Sequence, residues 1–417
     1  MAPLDGRRIW LVGIGGAGLS AYALLARAWG AEVGGWDRNE TPYLAAVRQA
    51  GIEVHVSPEP EARAGWETFV SSAYPGIDGR PRAELLVELV SLRPSIVVSG
   101  AHGKTTTAAM IAFVLRELGL DPGWIVGGEV PQLGANAGAG EGWLVVEGDE
   151  SDRSVAALRP RIAVVTNVDL DHHATFGSRA EVAALFERWL AEVPEVVRGW
   201  ELEPAEIDLA VPGRHNRQNA ASALAALELA GVPRPEAERA LAGFRGAGRR
   251  FELVGEAAGV SVYDDYAHNP AKLSAALDAA RERTNGRVLV LFQPHLYSRT
   301  RHLGPELGKA LAAADVVAVT DVYRAREEPV EGVSGKLVVD AIVDARPGFA
   351  PGWTPALDDG ASYLARRARP GDLVLTAGAG DVDRAARMVL ERLRERADFD
   401  GRSRERSRPA GPDRGGG

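Results

Sequence analysis

Along this chain short apolar runs of four or five residues alternate with longer alanine- and leucine-rich stretches carrying arginine and glutamate. A strand buried on both faces reads as an unbroken apolar run, and the stretch between two such runs supplies the crossover helix, so the rhythm predicts parallel α/β sheets. It occurs in three series. The first places strands at residues 9–12 (IWLV), 32–36, 52–56 and 69–72, and ends near Arg93-Pro94. The second has strands at 96–99, 144–147 and 162–166, closes with an alanine-rich helix after Asn219, and stops at Gly246-Ala247-Gly248. The third has strands at 260–263, 288–292, 316–319 and 373–376. The predicted domains are therefore 1–94, 95–247 and 248–397. Residues 398–417 are rich in arginine, glycine and proline, with too little apolar surface to offset ordering, and are expected to be a disordered tail.

Composition narrows the chemistry. With 417 residues there is room for two or three cores. A net charge of −9 argues against a broad grip on nucleic acid or an anionic membrane, so any bound anion must be held locally. The absence of cysteine excludes disulfides, thiolate metal sites and a cysteine nucleophile, and fits a cytoplasmic protein. No signal peptide is read at the start, and no apolar run is long enough for membrane insertion. Oligomeric state is not legible. Only four residues are lysine, Lys104, Lys272, Lys309 and Lys336, so a lysine inside a glycine-rich loop stands out.

Two glycine-rich loops each lie between a predicted strand and a predicted helix. Gly13, Gly15, Gly16, Ala17 and Gly18 let backbone approach a diphosphate, and Asp37, at the end of the next strand, suits a ribose or base edge. The usual ligand of such a loop is a dinucleotide. Gly100, His102, Gly103, Lys104, Thr105 and Thr106 form a phosphate loop in which backbone N–H groups, the lysine charge and a threonine hydroxyl for Mg²⁺ follow one another, which predicts ATP binding.

Further candidates follow later strands. Glu147 ends one apolar run and His172 follows another, so both can share a metal with Thr105; the acidic cluster around Glu147 reads equally as a solvated loop. Asn216 and Asn219 lie three apart on one helix face and suit an adenine edge, or simply a helix cap. Arg249-Arg250 is either a surface pair or a cation for the γ-phosphate. Residues 264–270 (DDYAHNP) are dense in polar side chains directly after a strand. Residues 293–301 (QPHLYSRTR) offer Arg299 and Arg301, arginines suited to a carboxylate.

Taken in order, GIGGAG, SGAHGKTTT, EGDESD, NVDLDH, PGRHNRQN, GRRF, DDYAHNP, FQPHLYSRTR and VLTAGAGDV resemble the motifs of the Mur ligase family, over nearly the whole chain and most closely its alanine-adding branch. The resemblance implies a Rossmann-like first domain, a central P-loop-type parallel sheet and a Rossmann-like third domain. It implies an enzyme that uses ATP and Mg²⁺ to join L-alanine to the carboxylate of UDP-N-acetylmuramate through an acyl phosphate, a step of peptidoglycan synthesis. The glycines of the first loop, Ala17, Asp37 and Ser71 would then hold the UDP-sugar, replacing the dinucleotide reading. Lys104, His172 and Arg250 would be catalytic, and Thr105, Glu147 and His172 would hold metal. Asp265 would take the ATP ribose, Asn216 and Asn219 adenine, and His268 with Arg299 the amino-acid carboxylate. Closure of the third domain about residues 246–248 is also expected.

Two departures bear on that reading. Between Phe176 and Pro212 the chain has thirty-five residues where relatives carry a longer run. Leu296 stands where many relatives have arginine. A ligase that recycles a preformed peptide shares most of these motifs, and a nucleotide-binding regulator without turnover is a third reading.

Overall fold

Residues 95–99 (SIVVS) are buried at every position, as are 288–292 (VLVLF), so both strands must lie inside a sheet covered on its two faces. A computed structural model, which describes residues 2–170, 175–325 and 327–406, places them at the centres of two of its three sheets.

The first sheet has five parallel strands: β1 (Arg8–Val12), β2 (Glu32–Asp37), β3 (Glu53–Val56), β4 (Glu67–Val70) and β5 (Arg80–Pro81), ordered β3-β2-β1-β4-β5. Its helices are α1 (Ala17–Ala28), α2 (Tyr43–Gln49) and α3 (Arg82–Ser91). The second sheet comprises β6 (Ser95–Ser99), β7 (Gly123–Ile125), β8 (Ala137–Gly138), β9 (Leu144–Glu147), β10 (Ile162–Val165) and β11 (Glu195–Arg198). Their order is β11-β10-β6-β9-β7-β8, and only the short β7–β8 pair is antiparallel. Around it lie α4 (Lys104–Glu117), α5 (Arg179–Leu190), α6 (Arg214–Leu229) and α7 (Arg234–Leu241). The third sheet, in the order β12-β13-β17-β14-β15-β16, is built from β12 (Glu252–Ala257), β13 (Val260–Asp265), β14 (Val288–Phe292), β15 (Val316–Val319), β16 (Gly352–Trp353) and β17 (Leu373–Ala377). Its helices are α8 (Pro270–Arg283), α9 (Tyr297–Leu311), α10 (Lys336–Ala345), α11 (Leu357–Arg367) and α12 (Asp383–Arg406).

Three α/β domains were expected, and three sheets are present, but they form two compact units, Met1–Gly248 and Arg249–Gly417. One apolar core explains this. It runs from Ile9, Leu11 and Leu25 around the first sheet to Val97, Val146 and Trp189 on one face of the second. A separate core joins the other face of the second sheet to α4 and α6 through Met110, Phe113 and Leu224. The two faces of the third sheet have their own cores, one around Val290 and Phe292 and one around Leu289 and Val389.

The thirty-five residues between Phe176 and Pro212 still form α5 and the edge strand β11, so the sheet keeps a sixth strand. At the other end α12 continues to Arg406, nine residues into the stretch expected to be disordered. Low apolar content argues against a packed core, not against a helix. Arginine and glutamate are good helix formers, and a helix already nucleated by packed residues such as Val389 and Leu393 propagates cheaply. No helix among the described residues is long and apolar enough to cross a membrane.

Candidate active site

Every parallel strand that carries a motif delivers it at its carboxyl end, where the loops of an open α/β sheet gather ligands. Residues 13–16 follow β1, residues 100–103 follow β6, Glu147 ends β9, residues 266–269 follow β13 and residues 293–296 follow β14.

In the phosphate loop Gly100 and Gly103 have φ of +129° and +78°. A Cβ on Gly103 would lie 2.2 Å from Asn219 Oδ1, so only glycine lets α6 approach this closely. Lys104 opens α4, and its Nζ donates to the Gly100 carbonyl at 2.6 Å and to Glu150 at 3.0 Å. Burial works against the ammonium, but Glu150, followed by Glu147 and Asp149, outweighs it and holds the Lys104 pKa above its ordinary value. Glu150 is only 2% exposed, so it holds the Lys104 ammonium in a fixed position at the helix N-terminus. Burial also opposes ionisation of Asp149, yet hydrogen bonds from Ser151 together with Lys104 and Arg82 lower its pKa.

Asn167 clamps the same loop. Its Oδ1 accepts from the His102 N–H at 3.0 Å and its Nδ2 donates to the His102 carbonyl at 2.9 Å. His102 Nε2 lies 3.5 Å from Asp169. Asn216 and Asn219 share a face as expected, but their amides are engaged within the fold. Asn219 Nδ2 donates to Asn216 Oδ1 at 3.3 Å, and Asn216 Nδ2 to the Pro212 carbonyl at 2.6 Å.

Thr105 and Thr106 are buried in the first turn of α4. Residues 127–128 bring Thr105 and Glu147 to one place: the Gly127 N–H donates to Glu147 Oε2 at 2.7 Å, and a Cβ on Gly128 would touch Thr105 Cγ2 at 3.8 Å. Two oxygen donors fit Mg²⁺, which prefers them. No cluster of three acidic, histidine or cysteine side chains with metal-holding geometry occurs among the described residues. His172, expected as catalytic and as a third metal ligand, lies outside the described residues.

In the first loop Asp37 is buried and both its oxygens are taken. Oδ2 accepts from the Gly15 N–H at 2.8 Å, and Oδ1 from the Tyr74 hydroxyl at 3.0 Å and the Asn39 N–H at 3.1 Å. Asp37 thus fixes the loop. Gly13, at φ +92°, leaves no room for a side chain: its Cβ would lie 2.8 Å from that of Ser71 and 2.9 Å from the Tyr74 ring. Gly16 caps α1, which begins at Ala17. A Cβ on Gly18 would meet the Arg82 guanidinium at 2.9 Å, and Arg82 reaches Asp149 and Asp152 at 3.3 Å. This arginine therefore ties the first loop to the acidic loop after β9.

In the second unit Arg249, at φ +56°, pairs with buried Asp264 at 3.1 Å and donates to the carbonyls of Gly378 and Gly380, each at 2.9 Å. Arg250 lies over the Tyr266 ring at 4.7 Å. Asp265 Oδ2 accepts from the Phe251 N–H at 2.7 Å, and burial pushes its pKa up to about 6 against the pull of Arg250. His268 Nδ1 donates to the Tyr266 carbonyl at 2.8 Å, and the His268 and His295 rings are 6.2 Å apart. His295 stacks on Tyr323 and lies 3.3 Å from Arg299 Nη1; burial, with Arg299 beside it, drives its pKa down to about 4. Arg301 does not join Arg299. Two residues apart on α9, they are about 200° apart around the helix, and Arg301 is exposed. Sequence reasoning also missed His295, Glu150 and Asn167, which stand within motifs it had quoted, and Tyr323, which follows β15 and lies in none of them.

Comparison with known proteins accounts for this arrangement. Residues 8–93 match the model of the Mur ligase family catalytic domain, 98–197 the Mur ligase middle domain and 249–380 the Mur ligase glutamate ligase domain. A UDP-N-acetylmuramate–L-alanine ligase of Renibacterium salmoninarum is 39% identical, covering 93% of this chain and 96% of its own. One from Streptomyces coelicolor is 40% identical, with 92% and 96% covered. Each alignment extends over more than 450 positions against 417 residues here, so those relatives are longer within the matched region. The crystal structure of a UDP-N-acetylmuramate-alanine ligase from Thermotoga maritima superposes with a TM-score of 0.78 at 26% identity, over 93% of this chain and 99% of that one. The chain therefore belongs to the Mur ligase family.

Proposed function

We propose that this protein joins L-alanine to the carboxylate of UDP-N-acetylmuramate, converting ATP to ADP and phosphate, as a step of peptidoglycan precursor synthesis. The observation that carries the reading is the match to curated L-alanine ligases, 36–40% identical over 96% or more of their length. The local chemistry supports it. A carboxylate is a poor acyl donor. Its oxygen attacks the γ-phosphorus of ATP, ADP leaves, and the acyl phosphate so formed is attacked by the alanine amine, which expels phosphate as the amide C–N bond forms and the nitrogen sheds a proton.

Lys104 carries the fixed positive charge that meets the transferring phosphoryl group, and Glu150 and the Gly100 carbonyl keep it in one place. The α4 N-terminus adds backbone N–H groups. Thr105 and Glu147 would hold Mg²⁺, which neutralises phosphate charge when bound. Gly103, Asn216 and Asn219 shape the nucleotide side of that loop, and Arg250 and Asp265 serve the γ-phosphate and ribose. Residues 13–18 and Ser71, held in place by Asp37, take the UDP-sugar, and the Tyr266–His268–His295–Arg299 cluster takes the amino acid. Both nucleotide substrates are cytoplasmic, which agrees with a chain free of cysteine.

The test is phosphate release with ATP, Mg²⁺ and UDP-N-acetylmuramate, offering L-alanine, glycine, L-serine and L-Ala-γ-D-Glu-diaminopimelate in parallel and identifying the amide by mass. Turnover with L-alanine is expected. Turnover with the tripeptide alone would make this a peptide-recycling ligase, and ATP binding without amide from any amine would make it a regulator.

A further inference from the structure

Residues 13–18 and the loop after β9 belong to different sheets of the first unit, yet one side chain lies between them. Arg82 opens α3. On one side a Cβ on Gly18 would meet its Nη1 at 2.9 Å; on the other its Nη2 lies 3.3 Å from both Asp149 Oδ2 and Asp152 Oδ2. Asp149 is the neighbour of Glu150, the partner of Lys104, and stands two residues beyond Glu147. The arginine therefore bridges the start of α1 and the carboxylates that serve the phosphate-transfer site.

A seated guanidinium–carboxylate bond is about 2.7–2.9 Å long. Arg7 reaches Glu67 in that way, at 2.6 and 2.9 Å. Arg82 instead shares one nitrogen between two acids at 3.3 Å each, so charge holds its guanidinium without geometry locking it. A second strut joins the same two loops. Asn136 Nδ2 donates to the Ala17 carbonyl at 3.0 Å, the Asn136 carbonyl accepts from the Val126 N–H at 2.9 Å, and the next residue, Gly127, donates to Glu147. Asn136 is neutral and buried, so it sets the spacing of the loops, and Arg82 is the adjustable part.

The N-terminus of α1 favours an anion. An anion seated there draws on the cation that faces Asp149 and Asp152, and a nucleotide on Lys104 fixes the loop on which those acids stand. Whichever ligand arrives first orders the link. The second then meets it already ordered and loses less freedom on binding.

We propose that Arg82 is a positioning residue that couples the two nucleotide sites, so that UDP-N-acetylmuramate and ADP each bind more tightly when the other is present. This rests on residues 13–18 holding the UDP-sugar and the Lys104 loop holding the ATP phosphates. By linkage the coupling factor is the same measured from either side.

The experiment is titration calorimetry in Mg²⁺, with ADP added to the protein alone and to the protein saturated with UDP-N-acetylmuramate, and then the reverse. It compares wild type, Arg82→Met, Asp152→Asn and the double variant; ADP has no γ-phosphate to transfer, so no turnover intrudes. Arg82→Met keeps the aliphatic stem. The Asp152 side chain is 32% exposed, and an asparagine there still accepts from the Ser154 N–H, so that variant keeps the fold; a thermal melt checks both. In wild type each ligand should tighten the other roughly fivefold or more. Arg82→Met should cut the factor to about twofold or less while the affinity for ADP alone moves by no more than a few-fold. Asp152→Asn should lower the factor too, and the double variant should fall no further than Arg82→Met, because both changes break one link. Independent binding of the two ligands to wild type, an unchanged factor in both single variants, or additive losses in the double would overturn the assignment and leave the ligase reading intact. Failure of wild type to bind UDP-N-acetylmuramate at all would overturn both.

Discussion

Lys104 and Glu150 form an ion pair at 3.0 Å with the carboxylate almost wholly buried, at the N-terminus of a helix whose following residues, 105–115, are all buried. A charge set in such a frame cannot drift, which is what stabilising a phosphoryl transition state requires.

Lys104→Met should therefore abolish phosphate release, by roughly a thousandfold or more in kcat/KM, while far-ultraviolet dichroism stays unchanged. Glu150→Gln leaves a buried ammonium without its counter-charge and should lower both activity and melting temperature. The two effects are read by phosphate release and a thermal melt.

Gly103 and Gly119 have similar φ, +78° and +71°, but a Cβ meets Asn219 Oδ1 at 2.2 Å in the first and open space in the second. Alanine at either position pays a left-handed conformational cost of about 1–2 kcal/mol. Only Gly103→Ala should also lose ATP binding, measured by titration calorimetry with ADP. Equal nucleotide affinity in the two variants would count against the close packing of α6 on the loop.

Asp37 ties Gly15, Asn39 and Tyr74 together through one carboxylate. Asp37→Ala strands buried donors and should cost about 1–3 kcal/mol of stability. It should weaken UDP-N-acetylmuramate binding about tenfold without altering ATP affinity, because the distortion is confined to the first loop. A nucleotide-competition assay run for each ligand separates the two.

Two titrations in the second unit oppose one another. Asp265, raised from 3.8 to about 6, keeps its proton when folded where the unfolded chain has lost it, so its contribution to stability falls as pH rises through that window. His295, lowered from 6.5 to about 4, stays neutral when folded where the unfolded chain is charged, so its contribution grows between pH 4 and 6.5. Asp265→Asn should leave melting temperature climbing with pH across this range, and His295→Gln should leave it falling. Parallel curves for the two variants would contradict the opposed shifts.

The sheet interiors were legible because strands such as β6, β10 and β14 are unbroken apolar runs, which only full burial tolerates. The strands that went unread, β5, β7, β8, β11, β12 and β16, are mostly two to four residues long, and several are edge strands with exposed positions, so they leave no periodicity. The site loops were legible from glycine spacing and strand position. Which carboxylate turns inward was not: Glu147, Asp149, Glu150 and Asp152 look alike in sequence, and only packing against Ser99 and Lys104 singles out Glu150. Arg299 and Arg301, two residues apart on one helix, lie on different sides of it, which their spacing already implies.

On the proposed reading this chain makes an amide bond between L-alanine and UDP-N-acetylmuramate at the expense of ATP. Its most direct test is mass spectrometry of a reaction containing the purified protein, ATP, Mg²⁺, UDP-N-acetylmuramate and L-alanine, beside the same reaction with Lys104→Met. The wild type should form UDP-N-acetylmuramoyl-L-alanine in step with phosphate release, and the variant neither product. Phosphate release without amide, or amide from both proteins alike, would contradict it.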